Sequence, residues 1–387
     1  MENQKRQIDK NLFRPADRTQ EQSDIIARKS STLLQDAMRS LRKNVFFMIS
    51  FFILLVIVLM SIFAPVLSDY TYKEQDLNRS LMAPRIPGLE NISFLGFDGK
   101  ETKKFYGNNV QTAEMKANTQ FKTQSEEQKE FITFEVINEG DGSPNSAEVK
   151  ATYDKYAAKG LEDEYFYFGT DRLGRDIWTR VWDGTRVSLL IAVAAALIDL
   201  VIGVAYGGIA AYYGGRVDNY MMRFLEVIIG IPNLVVVILM ILVLDPGIWA
   251  IIIALTITGW TSMARIVRGE VLKLKGHEFV LASRTLGAPN RKIIGRHLIP
   301  NVMGLIIVNT MFSIPSAIFF EAFLSFIGLG LPSPAASLGT LINDGFKTLQ
   351  TTPSMLVFPA VLISIIMIVF NILGDGLRDA FDPKMRK

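Results

Sequence analysis

Six apolar stretches constrain this chain most strongly, since each approaches the roughly 20 residues that a helix needs to cross a bilayer. A soluble protein with the same 49% hydrophobic residues would interrupt them at helical or strand spacing. The uninterrupted stretches therefore predict an all-α polytopic membrane protein. We place six transmembrane helices near Asn44–Val66, Val187–Tyr212, Met221–Leu244, Ile248–Ile266, Leu298–Phe320 and Ser354–Leu373.

Lysine and arginine are distributed unevenly between the connections, and this predicts the orientation. Among the tails and the short connections they are concentrated before the first span, between the fourth and fifth spans, and after the sixth. The long segment 67–184 carries charges of both signs, which a long translocated segment tolerates. The fifth–sixth connection contains Lys347 alone. An even number of spans places all three basic segments on one side, so we expect both termini to be cytoplasmic.

The chain then divides into four parts. Residues 1–43 form a cytoplasmic tail with an amphipathic elbow helix, 44–66 the first transmembrane helix, and 67–184 an extracytoplasmic insertion. Residues 185–387 form a five-helix core with a cytoplasmic loop at 267–297. The elbow is predicted from apolar residues at helical spacing: Leu33, Leu34, Ala37, Met38 and Leu41.

The insertion is predicted to contain a small α+β module. Phe131–Ile137 favours a strand, and Ala147–Ala158 favours a helix with Val149, Tyr153 and Tyr156 on one side. The glycine-rich segment 138–144 predicts a turn between them. Thr102–Gln128 is polar enough to predict a flexible segment.

Small and acidic residues stand out within the spans. Glycines four residues apart predict close helix packing in the second span, at Gly203, Gly207 and Gly208. Four acids lie in or at the ends of spans: Asp199, Glu226, Glu321 and Asp375. We interpret them as groups that bond neighbouring helices, lie near interfaces or face a partner, rather than as proton carriers. Glu321 and Ser325 are candidates for the pore or its gate.

The sequence contains no recognisable catalytic or nucleotide site. A phosphate-binding loop needs Gly-x-x-x-x-Gly-Lys-Ser/Thr, but the single Gly-Lys pair, Gly99-Lys100, is followed by Glu101. His277 and His297 lack ligand-type companions, and the chain has no cysteine. We therefore expect no enzyme activity, no cofactor or metal on this chain, and no nucleic-acid partner.

The basic connection between the fourth and fifth spans has a defined pattern. Glu278–Leu286 favours a helix, Gly287 and Pro289 break it, and Arg291–Leu298 can resume it. Pro300 then falls near the start of the fifth span. A basic loop held by lipid head groups is the alternative. The helix–glycine–helix–proline order favours a short helix that docks a cytoplasmic partner.

Leu281-Ala282-Ser283, Gly287 and His297-Leu-Ile-Pro300 resemble the EAA loop of ABC importer permeases, although Leu281 and Ser283 replace that triplet's Glu and last Ala. In that family the loop forms a coupling helix seated in a cleft of the ATPase subunit. The resemblance implies an ATPase-coupling site formed by Glu278, Leu281, Ala282, Ser283, Gly287, Ala288 and Pro300.

Three further motifs resemble the C-type permease of oligopeptide, dipeptide and nickel importers (OppC/DppC-like). They begin at Phe168 (FGTDRLGRD), Glu321 (EAFLSFIGLG) and Asn371 (NILGDGLRDAFDP). This resemblance implies a type I ABC importer permease fold in the bacterial cytoplasmic membrane. The segment 89–164 is longer than that family's usual outer loop.

The resemblance also implies the partners and the activity. This chain would form half of a translocation pore in the lipid bilayer with a homologous B-type permease. Two ATPase subunits or domains would bind ATP and Mg, and an extracytoplasmic substrate-binding (lipo)protein would deliver peptide. We hypothesise that segment 89–164 contacts that delivery protein or braces the partner permease.

Other functions stay open at this point. Nickel chelates or opine-like molecules are alternative cargoes of the same transporter type. An ion-coupled secondary transporter would need two internal repeats with interrupted helices at matching positions, and the sequence shows no such symmetry. A membrane-anchored scaffold would leave the basic inner helix without a purpose.

Overall fold

The computed structural model describes residues 33–90, 96–121 and 129–381, and helices dominate this part of the chain. In chain order the elements are α1 (Leu33–Lys43), α2 (Val45–Leu67), β1 (Lys100–Gly107), α3 (Val110–Phe121), β2 (Ile132–Asn138), β3 (Ala147–Asp154), α4 (Lys155–Ala158), α5 (Ile177–Tyr213), α6 (Gly215–Ile229), α7 (Asn233–Leu244), α8 (Ile248–Leu274), α9 (Glu278–Thr285), α10 (Asn290–Lys292), α11 (Ile299–Phe326), α12 (Leu338–Lys347) and α13 (Ser354–Phe381).

Within the described part of the chain, five helical stretches are long and apolar enough to cross a membrane: α2, α5, α8, the continuous stretch Asn290–Phe326, and α13. Helices α6 and α7 form a sixth candidate, bent by 80°. Pro232 caps α7 at this bend, where its missing N–H is tolerated. The predicted third span is therefore broken at Pro232 into two helices.

Helix α5 begins at Ile177, well before the predicted start at Val187. Asp176 caps it, accepting a hydrogen bond from the Thr179 N–H at 2.8 Å. The first turns contain polar side chains, such as Arg180, that are buried. Hydropathy therefore placed the start too late, because these turns are polar yet helical.

Helix α5 packs directly on α8 through its glycines. A Cβ on Gly203 would lie 2.6 Å from the Met263 Cβ, and one on Gly207 would collide with the Ala264 carbonyl oxygen. Arg268 of α8 also donates to both carboxylate oxygens of Asp218, at 2.6 and 2.7 Å, which ties α6 to this pair.

The insertion contains a three-stranded antiparallel sheet in the order β1-β3-β2. The prediction of a helix over Ala147–Ala158 is wrong, because residues 147–154 form the central strand β3 and only α4 is helical. Every second residue of β3 is buried, from Ala147 through Tyr153. That period of two arises because alternate side chains of a strand face opposite sides of the sheet, and α3 covers one of these sides.

The prediction of a flexible Thr102–Gln128 is also wrong over the described residues, since β1 and α3 occupy most of it. Phe105 and Phe121 pack edge to face at 5.6 Å and cover the sheet. Residues 122–128 lie outside the described residues, as does the tail before Leu33. Within the described part of the tail, α1 buries Ala37 and Leu41 against the end of α13.

The predicted turn between β2 and β3 is confirmed. Gly140 and Gly142 adopt φ values of +79° and +87° there. Hydrogen bonds from Ser143 hold the pKa of Asp141 down at about 2.

The α+β module reaches the α12–α13 connection, where Lys103 Nζ donates to the Thr351 carbonyl at 3.2 Å. It therefore lies at the end of the bundle away from α9.

Gly207→Ala tests the α5–α8 contact. The added methyl collides with backbone, so we expect a loss of about 1–3 kcal/mol in stability. Gly269→Ala is the matched control, because a Cβ there meets nothing within 4 Å. Thermal unfolding of the detergent-solubilised protein measures both. Equal midpoints for the two variants would contradict the inferred backbone contact.

Candidate coupling site

Helix α9 is attached to the bundle by one buried side chain. Val280 is fully buried in a cluster with residues from the ends of α5 and α8, including Tyr212 and Val271. Ile293 and Leu298, from the stretch that leads into α11, complete the cluster. Three different helices thus fix the position of α9.

Two polar contacts reinforce this attachment. The Arg284 guanidinium lies over the Tyr212 ring at 5.3 Å, a cation–π contact. The Tyr212 hydroxyl donates to Asn290 Oδ1 at 2.7 Å. Tyr212 therefore connects both sides of the break between α9 and α10.

The break is a glycine-terminated helix end. Gly287 has φ +75°, and its N–H bonds to the Arg284 carbonyl at 3.0 Å. The Ala288 N–H bonds to the Ser283 carbonyl at 3.1 Å. This pair of bonds is the Schellman motif, which requires a left-handed residue at the glycine position. The chain therefore turns sharply, and Pro289 prevents the helix from continuing.

Most other side chains of α9 and its cap Leu286 are exposed, and some are apolar. Leu281 is 48% exposed and Leu286 is 87% exposed, although both are large apolar residues. Phe279 is also exposed. Several exposed apolar side chains close together on one short helix and its cap make this segment a candidate interaction surface. The sequence prediction did not include Phe279 and Leu286; their apolar character within a basic connection was the signal.

The predicted residues occupy different positions in this arrangement. Glu278 lies in the first turn of α9, and Ala282 is exposed beside Leu281. Ser283 and Ala288 are half-buried and supply the two ends of one turn-closing bond. Pro300 lies apart from them, beyond the π-helical turn described next.

The proline near the start of the fifth span does not bend or break the helix there. The helix is continuous from Asn290 to Phe326, with a π-helical turn at Ile293–Leu298. Pro300 follows this turn and lacks the N–H that an α-helix would bond to the Arg296 carbonyl. Widening of the preceding turn accommodates the ring without breaking the helix. The fifth span is therefore joined without a break to the loop that contains α9.

Glu321 and Ser325 lie inside this chain. Glu321 is fully buried and accepts hydrogen bonds from the Ser188 hydroxyl at 3.0 Å and the Ser325 hydroxyl at 2.9 Å. Ser188 also accepts from the Leu338 N–H at 3.1 Å. This polar link joins α5, α11 and α12. A role for Glu321 and Ser325 at the gate stays a prediction.

The motif at 168–176 folds around Asp171. Its carboxylate accepts the N–H groups of Leu173 and Arg175 at 2.8 and 3.0 Å. It also pairs with Arg175 Nε at 2.6 Å, and both side chains are buried. The motif thus forms a compact polar turn that positions the start of α5.

Within the described residues, no group of three or more metal-binding side chains is found.

Residues 203–387 match the family described as binding-protein-dependent transport system inner membrane component. Residues 32–84 match the N-terminal TM domain of oligopeptide transport permease C. The chain is 40% identical over 380 residues to the oligopeptide transport system permease protein OppC of Bacillus subtilis strain 168, covering 98% of this chain and 99% of that protein. This chain belongs to the OppC/DppC family of ABC importer permeases.

A second relative of this permease agrees with the family assignment. It is 55% identical over 222 residues to the dipeptide transport system permease protein DppC of Bacillus subtilis strain 168, covering 57% of this chain and 69% of the relative. A solved structure of the MetNI methionine ABC transporter in an inward-facing conformation is 20% identical, with a TM-score of 0.44. That likeness covers 52% of this chain and 96% of the other. Membership makes this chain a permease subunit rather than an ATPase.

Ser188→Ala tests the buried polar link. Glu321 loses one donor and the Leu338 N–H loses its acceptor, so we expect a loss of about 1–3 kcal/mol. Ser316→Ala is the control, since that exposed hydroxyl bonds only to the Phe312 carbonyl of its own helix. The midpoint of thermal unfolding in detergent, measured for both variants, is the readout. An unchanged midpoint in Ser188→Ala would count against the link.

Proposed function

We propose that this permease forms half of the translocation pathway of an ATP-driven peptide importer. A homologous permease would supply the other half. Two ATPase subunits or domains, which bind ATP and Mg, would dock on α9, and an extracytoplasmic substrate-binding protein would deliver cargo. The full-length similarity to a permease named for oligopeptide transport supports peptide as the cargo.

The coupling role is carried by one observation, the exposed apolar surface of a helix that is fixed to the bundle. Leu281 and Leu286 offer side chains to a partner, while Val280 anchors the same helix. A partner that moves α9 would therefore move the attached helices as packed units. The continuous stretch Asn290–Phe326 would carry that displacement to the polar link at Glu321.

The proposed orientation places α9 and both termini in the cytoplasm, at the positively charged end of the bundle. The α+β module then lies outside, where a delivery protein arrives. A basic hollow of about 620 Å³, lined by Lys103, Lys104 and Lys116, opens beside the α12–α13 connection. We place docking of the delivery protein or bracing of the partner permease on this face of the module.

Gly287→Val tests the coupling turn. A β-branched residue at φ +75° is strained, so the loop must change its path. A strain of about 1–2 kcal/mol leaves roughly one molecule in ten with the native turn, so we expect peptide uptake to fall roughly tenfold. Membrane insertion should be unchanged, because a Cβ at Gly287 meets nothing within 4 Å. Peptide uptake in cells and the amount of protein in membranes are the measurements.

Gly276→Val is the control for this variant. Gly276 lies in the same loop and is equally open, but its φ is not in the left-handed region. Uptake should stay near the wild-type rate. Normal uptake by Gly287→Val would contradict the coupling role of this turn.

Leu286→Glu tests the apolar docking surface. A carboxylate buried without a partner is unfavourable, so ATPase subunits should bind about tenfold more weakly or worse. Leu77→Glu is the control, because Leu77 is also strongly exposed but lies on the insertion. Co-purification of the ATPase subunits with each variant is the readout. Equal recovery of the ATPase subunits with both variants would contradict docking on α9.

A further inference from the structure

A groove runs along α5 beside the π-helical turn that precedes α11. Its cavity measures about 570 Å³. One wall is a stripe on α5 that recurs every four residues, at Val201, Ala205, Ile209 and Tyr213. Ile294 and Gly295 form part of the opposite wall. The groove is apolar along most of its length.

The length of the groove matches one leaflet of a membrane. The α5 stripe from Val201 to Tyr213 extends for about 18 Å at the rise of an α-helix. Half of a bilayer's hydrocarbon core measures about 15 Å. Val201 and Ile209 are 64% and 40% exposed, so the stripe is open to what surrounds the bundle. A single acyl chain fits this dimension.

The end of the groove near α9 is polar and basic rather than apolar. Arg291 and Tyr213 line it, and both side chains are exposed. Among the described residues Arg291 forms no ion pair. Tyrosine is enriched at membrane interfaces, and arginine binds phosphate with a planar set of donors. This end therefore complements an anionic head group.

The backbone explains why the groove exists. Gly295 lies in the π-helical turn, and a Cβ there would meet nothing within 4 Å. Deeper in the bundle, a Cβ on Gly208 would lie 3.3 Å from the Ile299 Cδ1. The two walls thus approach closely at Gly208 and separate at Gly295. The missing side chain at Gly295 leaves the space open.

We propose that this groove binds one anionic phospholipid, with an acyl chain along the α5 stripe and its phosphate at Arg291 and Tyr213. A partner subunit seated here would have to bury the unpaired Arg291, which a head-group phosphate neutralises. The lipid would lie against the root of the coupling loop. The proposal concerns binding and stands whether or not α9 docks an ATPase.

Native mass spectrometry of the delipidated, full-length complex tests the proposal. The probes are phosphatidylglycerol and phosphatidylcholine with identical acyl chains. We expect the wild type to retain phosphatidylglycerol preferentially. Arg291→Gln should weaken its retention about fivefold, the effect of one basic residue near an anionic lipid. Lys292→Gln is the matched control, because the neighbouring lysine does not line the groove, and should retain the lipid as the wild type does.

Gly295→Leu provides a second variant in case Arg291→Gln does not assemble. A leucine there fills the groove and should reduce retention of both lipids. Equal phosphatidylglycerol retention by wild type, Arg291→Gln and Gly295→Leu would overturn the proposal. Displacement of the lipid by excess inorganic phosphate would indicate a phosphate site instead and would also overturn it.

A cysteine cross-link separates the lipid from a protein occupant. The chain has no native cysteine, so Ile209→Cys provides a unique thiol in the groove. In the intact complex it should cross-link to no other subunit and should react with a thiol reagent dissolved in the membrane. A cross-link to a partner permease would show that protein fills the groove and would end the proposal.

Discussion

The direct contact between α5 and α8 is the constraint on which the bundle depends. Gly203 and Gly207 bring the two helices so close that an added methyl group would meet backbone or the root of a side chain. In hydrocarbon, such packing replaces the hydrophobic driving force that is available in water. The paired ends of these helices then form the pocket that holds Val280. The position of α9 thus follows from glycines deep in the spans.

The second consequence of this packing is mechanical continuity. Helix α9 is fixed to the same cluster as Ile293 and Leu298, at the start of a helical stretch that continues to Phe326. Near its far end, Glu321 bonds to Ser188 of α5. The π-helical turn accommodates Pro300 and widens the helix beside the groove at Gly295. One local adjustment therefore keeps the helix continuous from Asn290 to Phe326 and leaves the groove at Gly295 open.

Sequence analysis correctly predicted the features that depend on residues close together in the chain. Bilayer thickness sets the length of an apolar helix, so sequence analysis located the five long spans and the bent pair α6–α7, where Pro232 lies at the break. It failed where residues far apart in the sequence determine the local structure. Val149, Tyr153 and Tyr156 fit a helical stripe, yet β1 and β2 pair with both edges of this segment and make it a strand. Likewise, Arg180 is polar but belongs to α5, where its buried Nε lies 3.7 Å from a carboxylate oxygen of Asp171.

The sequence by itself determined the spans, the glycine contacts and the turn at Gly287, because hydropathy, small side chains and a left-handed backbone are properties of residues and their near neighbours. Only the tertiary structure decided which side chains of α9 are exposed and which is buried. Val280 and Leu281 are adjacent and similarly apolar, but one fills a pocket built by three helices and the other faces outward. Burial depends on which distant segments meet, and that information appears only when the chain is folded.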